Sequence, residues 1–322
     1  MLINTTEELK QFVPTSIGLD YEDIKPYLET AEIKIASDFL TVPILNFLEG
    51  TGLNPSEIKI KNLVTGSVAL LALRSYLDFG QITVSSSGVH FTTNENTKTA
   101  FEWQITNLKK SCLIECYTKL ELIYALIPDT TTGFKTLYEN SALQVQINSL
   151  LLNSTREFSK HVSIGGSNVF FHKLINSITD AETFASDQLS PELFALLKST
   201  SVPEAKQAAV EKIKFKTGRF CAFTAMANGM MENISILGEF GVQTINGTFA
   251  RLSDSTVSST EKMLEMLHSY YKNQAEKTLS ELLLLCQKLS DTVTEYQNSE
   301  NYLSETESLV ARNNPDAPIV FL

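Results

Sequence analysis

The sequence has few cysteines, few prolines and a single tryptophan. Its 322 residues include 4 Cys, 9 Pro and 1 Trp. Because no basic region with an apolar core and a cleavage site opens the chain, we expect no secretory signal and therefore free, buried thiols rather than disulfides. No run reaches the roughly 18 consecutive apolar residues that a membrane span requires. We therefore expect no membrane-spanning segment.

Basic charge is also in short supply. Lys and Arg number 26 against 37 Asp and Glu, which gives a net charge of −11. A surface that coats nucleic acid needs a basic stripe to displace phosphate counterions, so this balance argues against that class of protein. Hydrophobic residues make up 43% of the chain, enough to bury a substantial core.

No motif in the sequence carries catalytic or cofactor chemistry. Cys112 and Cys116 stand four residues apart on one helix face, but nothing supplies the four ligands of a structural zinc site, so a buried face is expected. The glycine-rich segment Ile164–Asn168 lacks the phosphate-binding fingerprints and is interpreted as a hinge. The histidines are isolated along the chain, without a nucleophile nearby: His90, His161, His172 and His268. We expect no catalytic residues, no metal and no cofactor.

Two apolar features are assigned to the core. The core helix predicted over 203–232 carries a cluster of aromatic and sulfur-containing residues. The cluster indicates core packing more than a binding groove: Phe220, Phe223, Met226, Met230 and Met231. Trp103 is expected to anchor the helix that closes the first half.

An internal repeat is the strongest positive signal. Ala36–Asp38 and Ala185–Asp187 have the same sequence, and Thr-Gly pairs at 65–66 and 217–218 each open a long apolar helix. In both halves a strand-like stretch with a Gly-Val pair follows, and then a second long helix. Four landmarks in the same order favour a duplication, and a repeated helical unit without a ligand motif favours packing and assembly.

These patterns predict a mainly α protein with two related helical-bundle halves. Each half has a β-hairpin between two long helices, and an extended C-terminal arm follows the second half. The predicted divisions are 1–128 for the first repeat, 129–168 for a connector, 169–291 for the second repeat and 292–322 for the arm.

The interface is expected in the hairpins and the arm. An isolated hairpin is marginal in water, so each needs a partner surface, either its own helices or a neighbouring molecule. Four apolar residues that follow two prolines in the arm are expected to dock. The predicted interface residues are Ile82, Val84, Val89, Phe91, Ile236, Val242, Ile245, Ile319, Val320, Phe321 and Leu322.

The layout resembles that of a known family. The chain has an Asn-Thr-Thr-Glu-Glu-Leu-Lys start at 4–10, an amphipathic helix with Tyr27–Ala31, a helical body, a hairpin between two long helices, and an extended arm. Together these features resemble head–tail connector (adaptor) proteins of tailed phages, specifically the longer proteins encoded by phages and prophages of the Bacteroidetes.

The resemblance implies a non-enzymatic structural protein of the virion. It would form a ring homo-oligomer, of twelve copies if it follows the family, at the neck or portal vertex. Portal and tail or neck proteins would be its partners, and DNA would pass through the channel without sequence-specific binding. The protein would be made in the bacterial host cytoplasm. Two alternatives stay open: a tail-completion or tail-capping component, and a helical enzyme or ligand-binding protein whose site is assembled from scattered residues.

Overall fold

The computed structural model describes residues 1–13, 19–77, 82–85, 88–91, 101–238, 241–244 and 257–304, the strands by their backbone alone. The chain divides into two compact units. The first comprises Met1–Asn148 with Ser167–His172, and the second Ser149–Gly166 with Lys173–Leu322.

Helices dominate the described residues, which confirms the prediction of a mainly α protein. The first elements are α1 (Thr6–Phe12), α2 (Tyr21–Asp38), α3 (Val42–Glu49), α4 (Pro55–Tyr76), β1 (Ile82–Ser85), β2 (Gly88–Phe91), α5 (Glu102–Leu126), α6 (Thr132–Glu139) and α7 (Ala142–Ser149). They are followed by α8 (Thr155–Ser159), α9 (Asn168–Lys173), α10 (Ile175–Leu189), α11 (Pro191–Lys198), α12 (Glu204–Ile234), β3 (Ser235–Gly238), β4 (Gly241–Thr244) and α13 (Val257–Leu289). Single 3₁₀ turns follow α5 and α13, at Ile127–Asp129 and Thr294–Asn298.

The strands within the described residues form two short antiparallel pairs. In the first pair Ile82 lies opposite Phe91 and Val84 opposite Val89. In the second pair Leu237 lies opposite Val242. Each pair stands between two long helices along the chain.

Helix α4 forms the centre of the first unit and packs against both α2 and α5. Its start is fixed by a capping box, in which Asn54 accepts the N–H of Glu57 and Glu57 accepts the N–H of Asn54, both at 2.8 Å. Helix α4 is apolar on most sides, as a covered helix must be. Its fully buried residues include Ile60, Val64, Val68, Ala69 and Ala72.

Glu57 also ties the segment after α5 to this core. Its second carboxylate oxygen accepts the N–H of Thr131 at 2.9 Å and the Thr131 hydroxyl at 2.5 Å. Burial alone raises the pKa of Glu57, but the hydrogen bonds from Thr131 and Asn54 outweigh it and lower the pKa. Residues 129–148 therefore belong to the first unit, where the sequence had suggested a connector.

The second unit repeats the element order of the first. Helix α12 packs against α10 and α13 as α4 packs against α2 and α5. The Thr-Gly pairs also match in detail. Thr65 and Thr217 are buried, and their hydroxyls donate to the carbonyls of Lys61 and Ile213, at 2.8 and 2.9 Å.

The similarity between the two units also includes residues that precede the repeat predicted from the sequence. Leu2–Glu8 reads Leu-Ile-Asn-Thr-Thr-Glu-Glu, and Leu151–Glu157 reads Leu-Leu-Asn-Ser-Thr-Arg-Glu. Thr5 caps α1 and Ser154 caps α8, each accepting the glutamate N–H three residues later at 3.2 Å. Residues 149–166 thus form the start of the second unit, and the predicted connector is shared between the two units.

No helix in the described part of the chain combines the length and apolar character needed to cross a membrane.

Candidate functional site

An apolar groove lies on the first unit where α1, α4 and α5 meet. Its volume is about 480 Å³, within the range of roughly 300–1,000 Å³ that is usual for sites burying a small ligand. Apolar side chains form the floor and two lysines lie on the rim: Phe12, Leu63, Leu122, Leu126, Lys59 and Lys119.

Helical spacing brings these residues together. Lys59 and Leu63 are four residues apart on α4, and Lys119, Leu122 and Leu126 recur at three- and four-residue intervals on α5. Each set therefore lies along one face of its helix. The adjacent face of α5 is buried in the core through Cys112, Cys116, Leu120 and Ile123.

The missing side chain of Gly66 shapes the groove. A Cβ at Gly66 would lie 3.2 Å from Cδ and Cε of Lys119 and 3.3 Å from Cδ1 of Phe12. The aliphatic stem of Lys119 thus lies over α4 and reaches toward Glu115, whose carboxylate is 3.3 Å from the Lys119 ammonium. Leu122 stays 51% exposed beside it.

The matching place in the second unit is occupied by His161. A Cβ at Gly218 would lie 2.7 Å from Nε2 of His161 and 3.3 Å from Cδ2 of Leu152. The imidazole also packs against the ring of Phe215, with centroids 4.9 Å apart. Burial, helped by the positive charges of Lys160 and Arg219, lowers the pKa of His161 to about 4.

Glu182 is a buried carboxylate whose role is structural. One oxygen accepts the N–H groups of Leu151 and Leu152, at 2.7 and 3.0 Å, and the other lies 2.9 Å from Nζ of Lys198. In the first unit Glu32 accepts the N–H of Leu2 at 2.5 Å. The same type of contact thus secures the start of each unit.

A further cluster of ionisable groups anchors α9 to α5 within the first unit. Glu121 accepts the N–H groups of Asn168 and Val169, at 2.9 and 2.8 Å, and therefore caps α9 from outside. One turn along α5, the Tyr124 hydroxyl lies 2.8 Å from Nδ1 of His172. Burial raises the pKa of Tyr124 and lowers that of His172 to about 4, so both are neutral near pH 7.

Comparison with known proteins identifies a family. The model of DUF6712, a family of unknown function, matches residues 38–146 and 168–306. The chain belongs to the DUF6712 family. No curated protein and no solved structure matches it.

The DUF6712 match includes most of the groove. The contributions of α4 and α5 lie within 38–146, whereas Phe12 of α1 precedes the matched segment. Residues 315–322, which contain the predicted apolar arm, follow the second matched segment.

The side chains predicted to form the interface lie outside the described part of the structure. Ile82, Val84, Val89, Phe91, Ile236 and Val242 lie in strands that are described by backbone alone, while Ile245, Ile319, Val320, Phe321 and Leu322 lie outside the described residues. Their role stays a prediction.

Other assignments have clear outcomes. The four cysteines are buried, as expected. Burial raises the pKa of Cys112 and Cys221, and it raises the pKa of Cys286 to about 12. These thiols therefore stay protonated. Four members of the predicted core cluster are buried: Phe220, Phe223, Met226 and Met230. The side chain of the fifth, Met231, lies outside the described part of the structure. The prediction for Trp103 was wrong: it is 63% exposed, near the start of α5 where only later turns face the core.

The groove itself was not predicted from the sequence. The sequence feature that could have indicated the groove is an excess of apolar positions on α5. Leu122 and Leu126 extend the apolar surface of this helix beyond its buried face. The described residues contain no group of His, Cys, Asp and Glu side chains arranged to hold a metal ion.

Proposed function

We propose that this DUF6712 chain is a structural, non-enzymatic virion protein, a head–tail connector subunit. Its ring would join the portal to the tail at the neck of a phage particle, around the channel for DNA. The proposal draws on the resemblance in layout: the capped start, the amphipathic helix α2, the strand pairs between long helices and the apolar C-terminal segment.

The open groove on the first unit is the observation that carries the proposal. Its floor is apolar, and Leu122 is half exposed although it adjoins a well-packed core. Contiguous exposed apolar surface in a soluble protein commonly marks a site of protein–protein contact. A ring subunit needs such a site, because one surface must bind a different surface on the next copy until rotation closes the ring.

Three carboxylates in buried or half-buried positions favour assembly over catalysis. Glu57, Glu121 and Glu182 each accept backbone N–H groups and hold segments in place. Catalytic groups, in contrast, need a free face toward a substrate. The net charge of −11 suits a channel wall that DNA passes without adhering.

Electron microscopy of the purified full-length chain would test this proposal. We expect ring-shaped particles with a central opening, which also cosediment with portal assemblies. Rings that bind isolated tails but not portals would favour the tail-completion alternative. A chain that sediments as a monomer up to its solubility limit would contradict a ring role.

A further inference from the structure

We propose that the groove of the first unit binds the segment Asp316–Leu322 of a second copy of this chain. The inference rests on the proposed ring function and names the contact that would join adjacent subunits. Its groove is lined by Phe12, Leu63, Leu122 and Leu126, with Lys59 and Lys119 on the rim.

The chemistry of the groove defines what it can accept. An apolar floor favours apolar side chains, since their burial removes surface from water. The ammonium groups of Lys59 and Lys119 favour a negative charge close by. Lys119 has a carboxylate partner on its own helix, Glu115 at 3.3 Å, and no ion pair to Lys59 is present among the described residues. The occupant should therefore be an apolar segment with an acidic residue beside it.

The sequence 315–322 has this composition. It reads Pro-Asp-Ala-Pro-Ile-Val-Phe-Leu, with Asp316 placed three residues before an unbroken apolar run. The two prolines restrict the backbone and disfavour a helix, so the segment is suited to an extended conformation. In that conformation Asp316 would come first and the apolar run would follow it along one line.

The dimensions also agree. The groove follows α5 from Lys119 to Leu126, which spans roughly 10 Å at the helical rise. The extended run from Ile319 to Leu322 spans roughly 10 Å as well. Residues 305–318, which follow the last described residue, can bridge up to roughly 45 Å when extended, enough to reach a neighbouring subunit.

A pair of substitutions on one helix isolates the groove. Leu122 is 51% exposed inside it, and Ile114 is 49% exposed elsewhere on α5. Both positions tolerate a charge in the unassembled chain because both are open to water. We expect Leu122→Glu to raise the concentration at which rings form by roughly tenfold or more, as loss of one buried leucine contact implies. Ile114→Glu should leave it unchanged. Equal effects of the two would overturn the proposal.

Cross-linking identifies the occupant. The four native cysteines are buried, so Leu122→Cys in one copy and Phe321→Cys in another provide the accessible thiols for a short bis-maleimide. Mixing the two variants should give a covalent dimer. Excess native chains, which offer both an intact groove and an intact segment, should reduce its yield.

The outcomes separate this inference from the proposed function. Cross-links found only within a chain that carries both cysteines would show that the segment binds its own copy, and would overturn binding in trans. Rings that persist without any cross-link, and that Leu122→Glu does not weaken, would overturn the groove contact while leaving the ring role intact. A chain that forms no rings at all would overturn the proposed function.

Discussion

His161 lies against Gly218, with Nε2 2.7 Å from the point where a Cβ would stand. In the first unit Phe12 holds the same relation to Gly66, at 3.3 Å. Phe12 ends α1 and His161 follows α8, two short helices whose N-caps are the hydroxyl residues Thr5 and Ser154. The second unit thus has an imidazole in the contact that a phenyl ring makes in the first.

Alanine substitutions at the two glycines should have different effects. Alanine favours a helix over glycine by roughly 1 kcal/mol. At Gly66 the nearest atoms belong to the flexible stem of Lys119, which can move, so Gly66→Ala should be neutral or slightly stabilising. At Gly218 the close imidazole is held by Phe215, so Gly218→Ala should cost about 1–2 kcal/mol of unfolding free energy.

Urea unfolding followed by circular dichroism measures this difference. The His161→Ala background serves as the control: it lacks the imidazole, so adding Gly218→Ala there should cost much less than in the native chain. Equal losses at Gly66 and Gly218 would show that the imidazole contact does not determine the cost.

The two half-buried histidines, His161 and His172, should make stability fall in mild acid. The pKa values of His161 and His172 are lowered to about 4 in the folded chain, against about 6.5 in an unfolded chain. Between these values the unfolded state binds more protons. Stability is therefore complete above about pH 6.5 and decreases as the pH falls toward about 4.

His161→Phe should weaken this dependence. The substitution copies Phe12 and removes Nδ1, a buried atom with no hydrogen-bond partner among the described residues. The slope of the unfolding free energy against pH, measured between about pH 5 and 7, should decrease. Glu57 and Glu295, whose pKa values are lowered by folding, contribute to the pH dependence only below this range. An unchanged slope would mean that His161 titrates normally when folded.

Loss of the Glu182 carboxylate should destabilise the second unit. Glu182→Ala leaves the N–H groups of Leu151 and Leu152 without their acceptor in a buried site, at a cost of about 2–4 kcal/mol. Glu182→Gln keeps one carbonyl acceptor and should lose less.

Chemical unfolding and hydrogen exchange can check this order. Exchange at the Leu151 and Leu152 amides should accelerate most in Glu182→Ala. If both variants unfolded like the native chain, the carboxylate would not be what secures the start of the second unit.

The faces of the helices were predictable from sequence because helical spacing alone determines them. Apolar residues recur at three- and four-residue spacing over residues 24–39 and predict the core face of α2; all but the half-buried Tyr27 are buried: Ile24, Tyr27, Leu28, Ala31, Ile35 and Phe39. The repeat was detected where identical residues recur, at Ala36–Asp38. It was missed at Leu2–Glu8, because a capping position or a core position can hold different residues with the same physical role. Thr5 and Ser154, which both cap a helix, are an example.

The groove could not be predicted in the same way. It depends on where α1 places Phe12 relative to Gly66, and on how far the Lys119 stem extends over α4. Neither relation follows from periodicity, which specifies a face of a helix but not what lies against it. Periodicity therefore gives no sign that half of the surface of Leu122 is exposed.

Native mass spectrometry of the full-length chain is the most direct test of ring assembly through the groove. We expect one closed oligomer of uniform mass, which Leu122→Glu shifts toward free subunits and Ile114→Glu does not. A monomer at every concentration, with no change between these variants, would contradict ring assembly.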